Sequence, residues 1–316
     1  MDRVFLGQIQ RCLIQIQDPE SLDRSIATFV KDDIEEQVWI EWKSYPHTSK
    51  AVPEACVQRA VVLIEQLKGR VPHLPHLMGW VDDYDTNGDG ETRIGFVFKI
   101  PPKSQWAAPT SLHSLLEQAG NFRPSVEARN ALAYSLYHTI RCLHFISLHH
   151  GDLRSNNVIY YNTFNATEVD YTGYYISGFA LPLPPLRPDD TLCPSLDGDN
   201  LYRHPNDQEF YPIFKRDFDL YSLGVVLVEI AYWKPICKVL GVEPIRGRNP
   251  KFTQTVRDLL LEDSQLTKLS DVVGNSYAKL VQMFLKGLGE SWNDSFVTLL
   301  EDLRTKGEGG CKSDVS

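Results

Sequence analysis

Residues 149–161, HHGDLRSNNVIYY, hold His150, Asp152 and Asn157 in the spacing H-x-D-x-x-x-x-N. A carboxylate in a short polar loop can take a proton from a hydroxyl nucleophile. An amide five residues further on can turn back to hold a magnesium ion, which wants hard oxygen donors. Only such an offset puts both groups on one side of a cleft. The plainer alternative is a polar loop that follows a helix. A second carboxylate, Asp219, opens the nearly uniformly apolar run 219–233. An unpaired carboxylate there would cost several kcal/mol, on the order of a buried unpaired charge. Asp219 is therefore expected to accept hydrogen bonds from the backbone near His150 and Gly151.

In this spacing the chain resembles the catalytic loop of the protein kinases, with Gly151 at their arginine and Arg154 at their lysine. Further segments follow in the family's order. VWIEWKSY (38–45) looks like the third strand, with Lys43 as the phosphate-binding lysine. YRHPN (202–206) looks like the end of the activation segment. FDLYSLGVVLVEIAYWKPI (218–236) looks like the central helix of the large lobe, with Asp219 bracing the catalytic loop. The resemblance covers Val38 to Leu303. IEWKSY, YISGFA, NLYRHP and YSLGVVLVEIAYWKP are closer still to a degenerate kinase-like family of filamentous fungi. That family often accompanies a HeLo-type cell-death domain, of which these residues contain none.

The resemblance implies an α+β, bilobal protein-kinase-like fold with a small β-rich N-lobe and a larger helical C-lobe. It implies ATP and Mg2+ as cofactors, Lys43 at the phosphates, and a glutamate from the following helix to aim it. Glu65 is the candidate partner, ten residues before Pro75; Glu54 is the alternative, in the first turn and pointing away. Asp152 would be the base, Arg154 its neighbouring cation, Asn157 a metal ligand, and His150 and Asp219 structural supports.

Other parts of that machinery are missing. Between Gly7 and Gly69 there is no glycine, so no glycine loop brings backbone N–H groups close to a triphosphate. YYISGFAL (174–181) stands where D-F-G is expected, which puts Ile176 at the metal-binding aspartate. Isoleucine offers magnesium no ligand. Asp170, thirteen residues after Asn157, is the one carboxylate that could replace it. Asn206 stands where A-P-E carries glutamate, and Gly151 removes the arginine that reads activation-segment phosphorylation. Two functions stay open. One is a pseudokinase, a kinase-shaped signalling or interaction module. The other is an active Ser/Thr-type kinase, transferring the ATP γ-phosphate to a protein hydroxyl through an atypical metal site.

The elements that would position these residues are read from periodicity. Residues 4–17 place Phe5, Ile9, Leu13 and Ile16 on one helical face, so the segment 1–33 is expected to be a helical extension. Val38, Ile40 and Trp42 alternate as in a strand. Residues 53–68 read as a helix, VPHLPHLMGWV and TRIGFVFKI as strands joined through DDYDTNGDGE, and 100–105 as a connector. Pro124 and Ser125 open a long helix bearing Leu132, Leu136, Ile140 and Leu143. Tyr277, Leu280, Val281, Phe284, Leu285 and Leu288 form another helical face, and Phe296, Leu299, Leu300 and Leu303 a last one. The expected domains are 1–100 (strand core 36–100), 101–305, and a disordered tail, 306–316.

The net charge of −9 and pI of about 5.5 argue against a nucleic-acid partner. Six scattered cysteines without a C-x-x-C pair fit a reducing compartment. With no signal peptide or membrane-spanning run in view, a cytoplasmic location and protein partners are expected. Asp83, Asp85, Asn87 and Gly88 begin like an EF-hand loop, but Ile94 replaces its closing glutamate, and a turn explains them better. His73 with His76, and His144 with His149, lack a third metal ligand nearby in sequence.

Overall fold

The computed structural model describes residues 7–17, 24–32, 34–46, 69–84, 91–101, 109–120, 122–161, 170–179, 200–207, 215–245, 249–287 and 294–308, and five helical positions between 57 and 67. The DDYDTNGDGE turn beyond Tyr84, the proline-rich segment 181–199, Leu288 and the last eight residues lie outside the described part. The chain is α+β and divides into two compact units. One comprises the described residues up to Pro109 together with Tyr161, and the other the described residues from Thr110 onward. That division falls after Pro109.

The first unit is a six-stranded mixed sheet ordered β1-β5-β6-β4-β3-β2. Its strands are β1 (Gly7–Gln8), β2 (Ile14–Ile16), β3 (Arg24–Lys31), β4 (Ile34–Pro46), β5 (Leu77–Tyr84) and β6 (Glu91–Lys99). All neighbours pair antiparallel except β1 and β5. Alternation sorts β4 as its sequence suggests. Val38, Ile40 and Trp42 join Ile9, Ile14, Ala27, Val81 and Val97 in one core, which leaves Trp39, Glu41 and Lys43 on the opposite face. Between β4 and β5, Val57, Val61, Ile64, Glu65 and Leu67 are helical.

Among the described residues of the N-terminal segment the expected helix is not formed. Within 7–17 the chain makes β1, a 3-10 turn at Arg11–Leu13, and β2. Ile9 and Ile14 enter the sheet core, and β2 pairs with β3 from Ile14 opposite Phe29 to Ile16 opposite Ala27. The I-Q-I-Q run also fits a period of two, and the unpaired edge of β3 decides for the strand by supplying hydrogen bonds that a surface helix would not need.

The second unit is mainly helical. β7 (Thr110–Ser111), β8 (Val158–Tyr160) and β9 (Tyr174–Ile176) form a small sheet. The helices are α1 (Leu112–Gln118), α2 (Val126–Phe145), α3 (Arg216–Tyr232), α4 (Ile236–Leu240), α5 (Pro250–Leu260), α6 (Asp263–Val273), α7 (Asn275–Lys286) and α8 (Asp294–Glu308). Ser125 caps α2 by accepting the N–H of Ala128 at 3.2 Å, and Leu132, Leu136, Ile140 and Leu143 are fully buried. α3 is buried nearly all round, and its Gly224 lets Phe284 and Leu285 of α7 approach closely. α8 runs through Lys306 and Gly307 to Glu308, so the expected tail starts too early. Gly307 sits against the backbone of Ala131 on α2, where a side chain would collide. Packing against α2 thus prolongs the helix. Among the described residues no helix is long and apolar enough to cross a membrane.

Candidate functional site

In the first unit, β4 carries Lys43 into an ion pair with Glu41, Nζ to Oε1 at 2.9 Å. Residues two apart on a strand share a face, so the pair is local. Lys43 is thus paired with Glu41 in this structure. Glu65 stands in the helical segment and lines a small cleft with Ile64, His73, His76 and Leu77.

In the second unit, α2 ends at Phe145 and hands the chain to the loop that carries His150, Asp152, Arg154 and Asn157. The loop is fixed from below by Asp219 in the first turn of α3. Asp219 is 2% exposed. Its Oδ2 accepts the N–H of His150 and its Oδ1 the N–H of Gly151, each at 2.8 Å. His144 Nε2 also lies 2.9 Å from Oδ2. Burial pushes the Asp219 carboxyl up, but the His144 hydrogen bond, the fields of His150 and His144 and the Gly151 N–H outweigh it and hold it below its ordinary value. His149 packs on His144 with ring centroids 5.3 Å apart. Burial lowers the His149 pKa, against the pull of Asp219.

His150 is fully buried, stacks on Phe179 at 4.5 Å and reaches the carbonyl of Ser177 through Nε2 at 2.9 Å. Asn157 donates from Nδ2 to the Asp152 carbonyl at 2.7 Å and to its Oδ2 at 3.3 Å. Arg154 closes on the same Oδ2 at 3.1 Å. The Asp152 carboxylate thus already holds a cation and an amide. Asn157 is buried, and Gly178 presses on it. At φ +77°, a Cβ on Gly178 would lie 2.3 Å from the Asn157 side chain.

β9 sets the other side of this loop. Ser177 donates its N–H to the Asn157 carbonyl at 2.9 Å, and Ile176 pairs with Val158. Ile176 is fully buried. Asp170 lies at the opposite end of the β8–β9 hairpin, beyond the Tyr160–Tyr174 pair. From Val158 to Tyr160 the strand already advances two steps, about 7 Å. Asp170 spends its Oδ1 on the N–H and hydroxyl of Thr172, at 2.9 and 2.7 Å, in a turn. Asp170 thus stands at the other end of the hairpin from Asn157, with its Oδ1 engaged within its own turn.

A buried polar relay supports the loop from the side of α3. The Ser155 hydroxyl is 2.9 Å from Tyr202 Oη, which donates to Glu229 Oε1 at 2.7 Å. The same Oε1 accepts the N–H of Ile236 at 2.9 Å. Next to it, His204 stacks on Phe218 at 4.7 Å and accepts the N–H of Asn206 at Nδ1. Burial, with the charge of Arg257, lowers the His204 pKa to about 4.

The sequence reading missed Glu41, although its place two before Lys43 in a strand was signal enough. Nothing local marks His144 as a partner of Asp219, 75 residues away. No protein-family model matches the chain, and no curated protein matches it.

Proposed function

We propose that this chain is a protein-kinase-like domain of bilobal form that works as a pseudokinase, a signalling or interaction module. The β-rich first unit stands for the small lobe and the helical second unit for the large one. The observation that carries the reading is Ile176. Ile176 is fully buried opposite Val158, and the next two residues, Ser177 and Gly178, are the ones that meet Asn157, so this stretch of β9 and its end offers no carboxylate to a metal there. Even one oxyanion-hole donor is worth about 10²–10³ in rate, and a missing metal ligand matters at least as much. Asn157 and Asp152 are then the hydrogen-bonded frame of the loop. The resemblance to the fungal family makes self-recognition or cell-death signalling the context.

An active Ser/Thr-type kinase is the second reading. It is favoured by the intact Asp152–Asn157 contact and by Arg154 beside the base. A thermal-shift titration with ATP, with and without magnesium, separates the two. A ligand at a hundred times its dissociation constant stabilises by about 2.7 kcal/mol. The pseudokinase reading expects no such shift at cellular ATP concentrations. Magnesium-dependent stabilisation by ATP that Asp152→Asn leaves unchanged and Asn157→Ala abolishes would favour the kinase.

A further inference from the structure

One face of the first sheet gathers two cations around one carboxylate. Lys43 Nζ lies 2.9 Å from Glu41 Oε1, with both side chains largely buried. Arg24 stands directly across from Glu41 in the β3–β4 ladder. Such opposed residues have Cβ atoms about 4.5–5.5 Å apart. On the β6 side, Phe96 stands opposite Glu41. An ammonium and a guanidinium set about one oxyanion form the donor set that recognises carboxylate and phosphate. In this protein the chain itself supplies the oxyanion.

We propose that Glu41 is a built-in counter-anion that keeps a latent phosphate-binding site at Lys43 and Arg24 closed. A phosphate-bearing anion that approaches Lys43 must first displace the Glu41 carboxylate. The displaced group would remain in the sheet face, parted from Lys43 and beside a like charge, which is costly for a buried ion. Neutralising Glu41 removes both penalties and leaves two cations on a partly aromatic wall. The inference deepens the reading above, on which it rests for the choice of anion, but it requires nothing of Asp152 or of the second unit.

The test uses inorganic tripolyphosphate without metal and the full chain in calorimetric titrations. Wild type is expected to give no saturable heat at millimolar probe. Glu41→Gln should bind at least about tenfold more tightly than wild type, with affinity that falls as salt rises. Glu41→Gln/Lys43→Met should lose that gain. Wild-type binding equal to that of E41Q overturns the proposal, as does a folded E41Q that stays silent or a double variant that binds as E41Q does. If E41Q does not fold, Glu41→Asp withdraws the carboxylate by one methylene and should bind the probe detectably; silence there also overturns it. A silent E41Q with no ATP binding by wild type sinks this inference alone. Phosphotransfer by wild type sinks the pseudokinase reading, and this inference with it, because a triphosphate then reaches Lys43 past Glu41.

Discussion

Asp219 holds Gly151 across 68 residues of chain, its Oδ1 accepting the Gly151 N–H at 2.8 Å while its Oδ2 takes the N–H of His150. This one side chain ties the first turn of α3 to the loop that bears Asp152. Asp219→Ala leaves two backbone donors and His144 without their acceptor inside the protein. Hydrogen bonds to a charged group contribute about 1.5–3 kcal/mol each, so a loss of roughly 3 kcal/mol or more is expected. Urea denaturation measures it, and an unchanged midpoint would count against the role given to Asp219.

The same carboxylate sets an acid limit. Its folded pKa lies below the ordinary value, so the unfolded chain binds the proton more readily. The stabilisation is complete above the ordinary aspartate value and is lost as pH falls through the lower, folded one. Stability followed by thermal melting from neutral pH into that acid range should fall more steeply in wild type than in Asp219→Asn.

His204 acts in a higher window with the same sign. Its pKa is lowered to about 4 in the fold, against about 6.5 unfolded. Between those values the unfolded chain binds the extra proton, so stability rises with pH from 4 to 6.5 and is level above. His204→Phe keeps a ring against Phe218 and should flatten that part of the profile. An unaltered slope would show that the His204 ring is not held neutral.

Gly178 is predicted to be intolerant of any side chain. Alanine there must adopt a left-handed backbone and place its Cβ 2.3 Å from Asn157. The backbone term costs about 1–2 kcal/mol, and the collision comes on top of it. Gly178→Ala should lower the melting temperature sharply, and adding Asn157→Ala should recover the collision but not the backbone term. Equal melting of the single and double variants would contradict the contact.

Tyr202→Phe tests the relay. It removes the hydroxyl between Ser155 and Glu229 while keeping the ring. The expected loss is about 1–3 kcal/mol, the cost of leaving buried polar groups short of a partner. Tyr202→Phe with Glu229→Gln should lose less than the sum of the two single changes, because they share one hydrogen bond.

Periodicity and caps made much of the architecture legible. The apolar alternation of Val38, Ile40 and Trp42 is a local property of a strand, and Ser125 followed by an apolar helical face is a local property of a helix start. The long burial of 219–233 was equally plain, because a helix apolar on every side has to be buried. From that came the need for partners at Asp219, and the partners are where the backbone of His150 and Gly151 supplies them.

What the sequence could not settle were choices between patterns of equal local merit. Residues 7–17 satisfy a helical period and an alternating one, and only the open edge of β3 makes the strand the lower-energy choice. Lys306 and Gly307 look like a tail until Ala131 is brought against them. Asp170 and Ile176 are both plausible metal positions by count along the chain. Pairing of β8 with β9 separates them, because strand register converts a difference of six residues into opposite ends of a hairpin. By itself the sequence determined which residues are chemically able and which segments must be buried. Tertiary structure alone decided which charges meet, since Coulomb and hydrogen-bond energies depend on distances that sequence separation does not fix.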